Sequence, residues 1–288
     1  DILSFAGWSL LGNFGITCRD QVTNILFNVF FQTPVVNAAR GIATQVSGII
    51  STFATNITMA INPQITKNYS SGNINESVSL VYMGCRASFY MLTLIVVPFV
   101  VNVDYVLALW LERVPENTSL FLYFILGVAL IYSLSQPITV AIQATGDIKA
   151  FQIWIFSLMV LEVCLTYLVL WITSSLVYAL VPSVVVNFIS TAVRMALVKK
   201  KVGAYSFRQY AFDVVLRCVM VLMVSCIVAI YIHYMIGYES FVAFLGECVV
   251  LAISTIVIIL LFGLKRDERL QLVSKLKMSV KRLNGRRV

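Results

Sequence analysis

Apolar residues dominate the chain in long runs, and the breaks between the runs mark its elements. Runs near 3–32, 35–61, 77–101, 119–145, 150–172, 176–198, 212–234 and 240–263 approach or exceed the roughly 20 residues that cross a bilayer as a helix. The pattern predicts an all-α polytopic membrane protein with about eight transmembrane helices. The first two runs are longer than one crossing needs, so tilting, bending or extension past the bilayer is expected of them. The joins Gln32-Thr33-Pro34 and Thr173-Ser174-Ser175 are short enough to force antiparallel hairpins.

Polar residues inside the first two runs are periodic. In the second they fall at Asn37, Arg40, Thr44, Ser47, Ser51, Thr55, Thr58 and Asn62, in steps of 3, 4, 3, 4, 4, 3 and 4. That is the helical period, so they form one stripe along the helix. Ser9, Asn13, Thr17, Asp20, Asn24 and Asn28 make a looser stripe in the first. Lipid cannot solvate such faces, so they must look at each other, at other helices or at water. Serine and threonine alone are ordinary glue between membrane helices. Arginine, asparagine, aspartate and glutamine together point instead to a hydrated path for a polar cargo.

Charges within the spans narrow the chemistry, because keeping one there is costly and an arginine facing a cavity suits a phosphate. Neighbouring helical residues point about 100° apart. Arg19 and Asp20 are therefore not expected to form a simple pair, and Arg19 should reach a carboxylate on another helix, Glu162 or Glu247. Arg40 lies on its own stripe towards the outer end of the second span. Arg86, a third of the way into the third span, either faces a cavity or snorkels to the interface. Pro98, Pro137 and Pro182 each interrupt a span and favour kinks.

Composition fixes the medium: 60% of residues are hydrophobic and 12% charged, more apolar surface than a soluble domain can hide. Charge fixes the orientation. Lys67, Lys149, Lys199, Lys200, Lys201 and Arg208 share one side with the basic tail, whereas Arg113 stands among Asp104, Glu112, Glu116 and Glu239 on the other. The positive-inside rule places the first group and both chain ends in the cytoplasm. The net charge of +8 resides mostly in the tail, Lys265 to Val288, which suits anionic lipid headgroups rather than nucleic acid.

Cys18, Cys85, Cys164, Cys218, Cys226 and Cys248 all lie in apolar spans and read as packing residues. No metal or cofactor is expected. His233, the one histidine, reads as solvated at an outer helix end. The chain starts at Asp1, only two residues before an apolar span, and that start reads as a cut end.

Several segments carry a family resemblance. The run FAGWSLLGN, then NILFNVFFQTPVVNAARGIATQVSGIISTFATNITMAINPQITKNYSSGN, resembles the bacterial polysaccharide flippases. These belong to the multidrug/oligosaccharidyl-lipid/polysaccharide exporter superfamily. The match includes Asn37-Ala38-Ala39-Arg40-Gly41, a helix-ending Asn62-Pro63-Gln64-Ile65, and Lys67, Tyr69 and Gly72. Leu107 to Thr118 is similar to the family's acidic outer loop, and Ser135 to Gln152 to a segment joining two later helices.

The resemblance implies one six-helix lobe plus an extra helix pair, the carboxy-terminal half of a two-lobe transporter whose amino-terminal lobe is missing. Residues 1–198 would be the lobe, 199–211 a basic cytoplasmic loop, 212–263 the extra pair and 264–288 a basic amphipathic tail. It implies a non-enzymatic flippase in the bacterial cytoplasmic membrane, working by alternating access, whose partners are a lipid-linked oligosaccharide, membrane lipids and polysaccharide assembly enzymes. Arg40 would attract the diphosphate, Asn24, Asn28 and Thr44 would bind sugar, Asp20 would couple an ion, and Arg19 and Arg86 are further cavity candidates.

Three alternatives stand beside it. A cation-coupled drug exporter fits Asp20 but not Arg40 and the amide-rich stripe. A membrane enzyme that polymerises or ligates lipid-linked sugars needs a large reactive outer loop, and 102–117 has no histidine and a single arginine. A non-transporting fragment is the third.

Overall fold

The computed structural model describes residues 2–236, 241–265 and 268–269, and every regular element among them is helical. In order these are α1 (Ile2–Phe31), α2 (Pro34–Ser70), α3 (Ile74–Val101), α4 (Val103–Trp110), α5 (Thr118–Ser133), α6 (Gln136–Ala144), α7 (Lys149–Thr173), α8 (Leu176–Val202), α9 (Phe207–Tyr210), α10 (Leu216–Ile236) and α11 (Phe241–Ile258). A π-helical turn, Ala211–Val215, fuses α9 to α10, and another, Ile259–Gly263, extends α11.

The bundle turns lipid-type residues outwards. Trp171, Ile172, Ile227 and Val242 are each more than two-thirds exposed, as expected of side chains that meet acyl chains rather than water. Six helical segments among the described residues are long and apolar enough to cross a membrane: α3, α5 with α6, α7, α8, α9 with α10, and α11. With 30 and 37 residues, α1 and α2 are long enough. Their polar stripes keep their hydropathy too low to qualify.

Helix α3 is the centre. Fifteen of its residues are buried, and it packs against α2, α6, α10 and α11, so it joins the six-helix part to the last pair. The short joins form as the sequence requires. Gln32 (φ +50°) turns the chain left-handed and Thr33 caps α2 by accepting from the Val35 N–H at 3.3 Å. Ser174 (φ +49°) makes the matching turn before α8.

Four details refine the sequence reading. The polar hairpin of α1 and α2 does not zip closed: α1 packs mainly on α7, and α2 on α3 and α5. Helix α2 does not end at Pro63 but runs on to Ser70. Only the Met59 carbonyl loses its donor to the proline, and the extension is anchored because Ile65 is fully buried and its carbonyl accepts from Ser77 Oγ at 3.2 Å.

The fourth span is broken at Leu134–Ser135, since Pro137 offers no N–H to the Ser133 carbonyl. Tyr210 Oη fastens the break by donating to the Leu134 carbonyl at 2.8 Å. The outer connection 102–117 contains α4, whose Val103 and Leu107 are buried and whose Asp104 accepts from Ser119 Oγ at 2.6 Å. Except for 265, 268 and 269, the tail read as amphipathic lies outside the described residues.

Candidate functional site

Because α1 and α2 are held by different neighbours, a cleft remains between them, floored by α5, α7 and α8. It has two basins. One, of about 580 Å³, is lined by Asn24, Asn37, Arg40, Thr44 and Ser183 and lies towards the α1–α2 join. The other, of about 430 Å³, is lined by Asn13, Ser51, Gln143, Gln152, Ser190 and Arg194 and lies towards the end of the bundle bearing Lys149 and Lys199–Lys201. Arg19, Glu162 and Asn187 line both, so the basins meet at their side chains.

Ion pairs cross the first basin. Arg19 contacts Asp20 Oδ1 at 3.0 Å and Glu162 Oε2 at 3.6 Å. Arg40 lies 3.8 Å from Asp20 Oδ1, donates to the Asp20 carbonyl at 3.2 Å and also donates to Asn24 Oδ1. Asn37 Nδ2 donates to the Asn24 carbonyl at 3.3 Å, and the Arg40 guanidinium sits 5.8 Å from the centre of the Phe27 ring. Two arginines and two carboxylates on α1, α2 and α7 thus form a charge-balanced cluster.

The sequence expectation was that Arg19 would look past Asp20 to Glu162 or Glu247. It reaches Glu162, but it also pairs with Asp20. The 100° offset separates the Cα–Cβ bonds, and the long arginine stem swings back across it. Glu247 is elsewhere: buried on α11, it meets His233 Nδ1 at 2.9 Å, so His233 is partnered by a carboxylate rather than simply solvated.

Arg40, Asp20, Asn24, Thr44 and Arg19 are brought together at the cleft. Two candidates are not among its lining. Asn28 is exposed beyond it, its carbonyl accepting the Gln32 N–H at 3.0 Å. Arg86 is buried on α3, donates to the Asp213 carbonyl at 3.2 Å and pairs with Glu268.

The lower part of the α2 stripe is packing. Thr58 Oγ1 lies 3.0 Å from Ser88 Oγ on α3 and donates to the Ala54 carbonyl at 3.2 Å. All six cysteines are free thiols. Among the described residues no group of histidine, cysteine and acidic side chains could hold a metal.

Sequence reasoning missed the contribution of α8. Ser183, Asn187, Ser190, Thr191 and Arg194 recur at helical spacing and form a third polar face. That signal was readable, but Arg194 stands close enough to Lys199 to pass for a helix-end charge.

A polar, ion-lined cleft inside a lipid-facing helical bundle is the architecture of a membrane transporter. The chain belongs to the MatE family, whose model matches residues 9–168, from α1 into α7. It is thereby a multi-pass membrane protein of the multidrug/oligosaccharidyl-lipid/polysaccharide exporter superfamily, a family of transporters rather than enzymes. No curated protein and no solved structure matches it.

Proposed function

We propose that this protein carries a lipid-diphosphate-linked oligosaccharide from the inner to the outer leaflet of the bacterial cytoplasmic membrane, for assembly of a surface polysaccharide. The observation that supports this most is the lining of the cleft: amides and hydroxyls along both basins, with arginines rather than acids in excess once Arg194 is counted. Sugars are read by such neutral hydrogen-bonding groups, and diphosphates by guanidinium. The lipid tail would stay in the bilayer while the head group crosses.

In this reading residues 1–198 are one lobe of a two-lobe transporter, its carboxy-terminal half. A second lobe would face α1 and α2 and close the open side of the cleft, allowing alternating access. The basic end of the bundle, with both ends of this chain, would face the cytoplasm. Arg40, Asn24 and Thr44 would contact the cargo in the first basin and Asp20 would couple an ion; Asn28 and Arg86 lie outside the lining of the cleft.

A second reading is favoured by one observation. Asp20 and Glu162 share a basin, and two carboxylates together suit a cation-coupled drug exporter. Deleting the gene separates the two. Complete lipid-linked repeat units accumulating on the cytoplasmic face support the flippase. Normal surface glycan with increased drug sensitivity would sink it and leave the exporter.

A further inference from the structure

Arg194 is the cleft's uncompensated cation. Only 6% of it is exposed, yet no carboxylate lies within ion-pair distance of it among the described residues. Its Nη1 donates to Ser135 Oγ at 2.8 Å, and its guanidinium lies 5.1 Å from the centre of the Tyr132 ring. Its Nε is buried with no hydrogen-bond acceptor. An orphaned donor on a buried cation is costly to keep, and the Arg194 side chain lines a cavity.

The contrast with the neighbouring basin is sharp. There Arg19 and Arg40 are neutralised by Asp20 and Glu162, so an incoming anion would have to displace a carboxylate. Glu162 lines the basin of Arg194 too, but it is paired with Arg19, and no carboxylate has to be displaced from Arg194 itself. Gln143, Gln152, Asn13 and Ser190 add neutral donors to the same basin, a set suited to an anion with many oxygens. A volume of about 430 Å³ falls within the usual range of small-ligand sites.

We infer that Arg194 is the centre of an anion site for a diphosphate group, placed in the basin nearer the basic end of the bundle. The α5–α6 break helps to build the site, because it frees Ser135 to hold Nη1 at the edge of the cavity. Thr191 Oγ1, 3.4 Å from the same hydroxyl, completes the support. The inference deepens the transport reading, since it names the group that would first receive the diphosphate.

The test is titration of the full chain in phosphatidylcholine nanodiscs with two probes, inorganic pyrophosphate and farnesyl diphosphate. Arg194→Gln should weaken binding about 10- to 100-fold, the scale of a charge-assisted contact, and Arg194→Lys should recover part of it. Arg208→Gln, which removes the same charge from an exposed residue of α9, should change nothing. Ser135→Ala separates a binding role from a propping one, since it removes the hydroxyl contact and keeps the cation; it should weaken binding less than Arg194→Gln does.

Arg194-dependent binding of pyrophosphate assigns the site to the free anion's chemistry. Binding of farnesyl diphosphate alone assigns it to a lipid head group. The inference is overturned if the wild type binds neither probe, if Arg194→Gln binds like wild type, or if Ser135→Ala loses as much as Arg194→Gln. Intact Arg194-dependent binding alongside unaltered lipid-linked sugars in the gene deletion would refute the transport reading and leave the site standing.

Discussion

The charge-balanced cluster makes a quantitative prediction through Glu162. Replacing it by glutamine keeps the volume and removes one charge, so Arg19 and Arg40 would then share Asp20 alone. At 3.6 Å and an effective dielectric of about 20, the Arg19–Glu162 attraction is about 4–5 kcal/mol before desolvation. The Glu162 side chain is 11% exposed and that of Arg19 26%, so both have lost much of their hydration and the net is smaller. A coupling of about 1–2 kcal/mol is expected, between the values for exposed and fully buried pairs.

Each single change, Glu162→Gln or Arg19→Gln, should destabilise by about 2–3 kcal/mol, because it strands a partly buried charge. The double variant restores neutrality through Arg40 and Asp20, and it should be more stable than the sum of the singles. Reversible unfolding in mixed micelles with increasing dodecyl sulfate measures all four corners of the cycle. If the two effects add to within about 0.3 kcal/mol, the cluster is not an electrostatic unit and the reasoning fails.

Gly15 faces Phe156 and Met159 of α7, and a Cβ there would come within 2.8 Å of the Phe156 ring; Gly15→Val should therefore loosen α1 and lower unfolding stability by about 1–3 kcal/mol, whereas Gly7→Val, in open space, should not. Tyr210→Phe leaves the Leu134 carbonyl at the α5–α6 break without its donor and should cost about 1–2 kcal/mol in the same assay. Outside the spans, the hydrogen bond and charge of Lys201 hold the Asp147 carboxyl below the usual carboxylate range. That contribution is present above the ordinary carboxylate pKa and is lost as pH falls through the depressed one. With 71% of the Asp147 side chain in water the pair stabilises little, so the expected signature is an upward shift of the Asp147 titration in Lys201→Met, followed by NMR, and no shift would contradict the pairing.

How much of this was legible depended on whether a signal was local. The α2 stripe could be read because helical periodicity needs one segment only, and the Arg19–Glu162 contact could be narrowed to two candidates because acids within the spans are few. The Arg19–Asp20 pair was missed because spacing describes where a side chain leaves the backbone, not how far it reaches. Pro137 marked a break, yet the same residue type at Pro63 did not end α2, since burial of Ile65 outweighs one lost hydrogen bond. The charge-poor surroundings of Arg194 depend on how α5, α6 and α8 converge, which no single segment encodes.

The break between α5 and α6 has a mechanical consequence. It is a joint clamped from two sides, by Tyr210 leading into the last helix pair and by Arg194 from the wall of the cleft. Swinging α6 against α5 must release or drag both clamps. Losing the Arg194 contact to Ser135 would undo one of them and leave Tyr210 as the pivot. The last helix pair and the wall of the cleft therefore share one joint, so a change at either side is felt at the other.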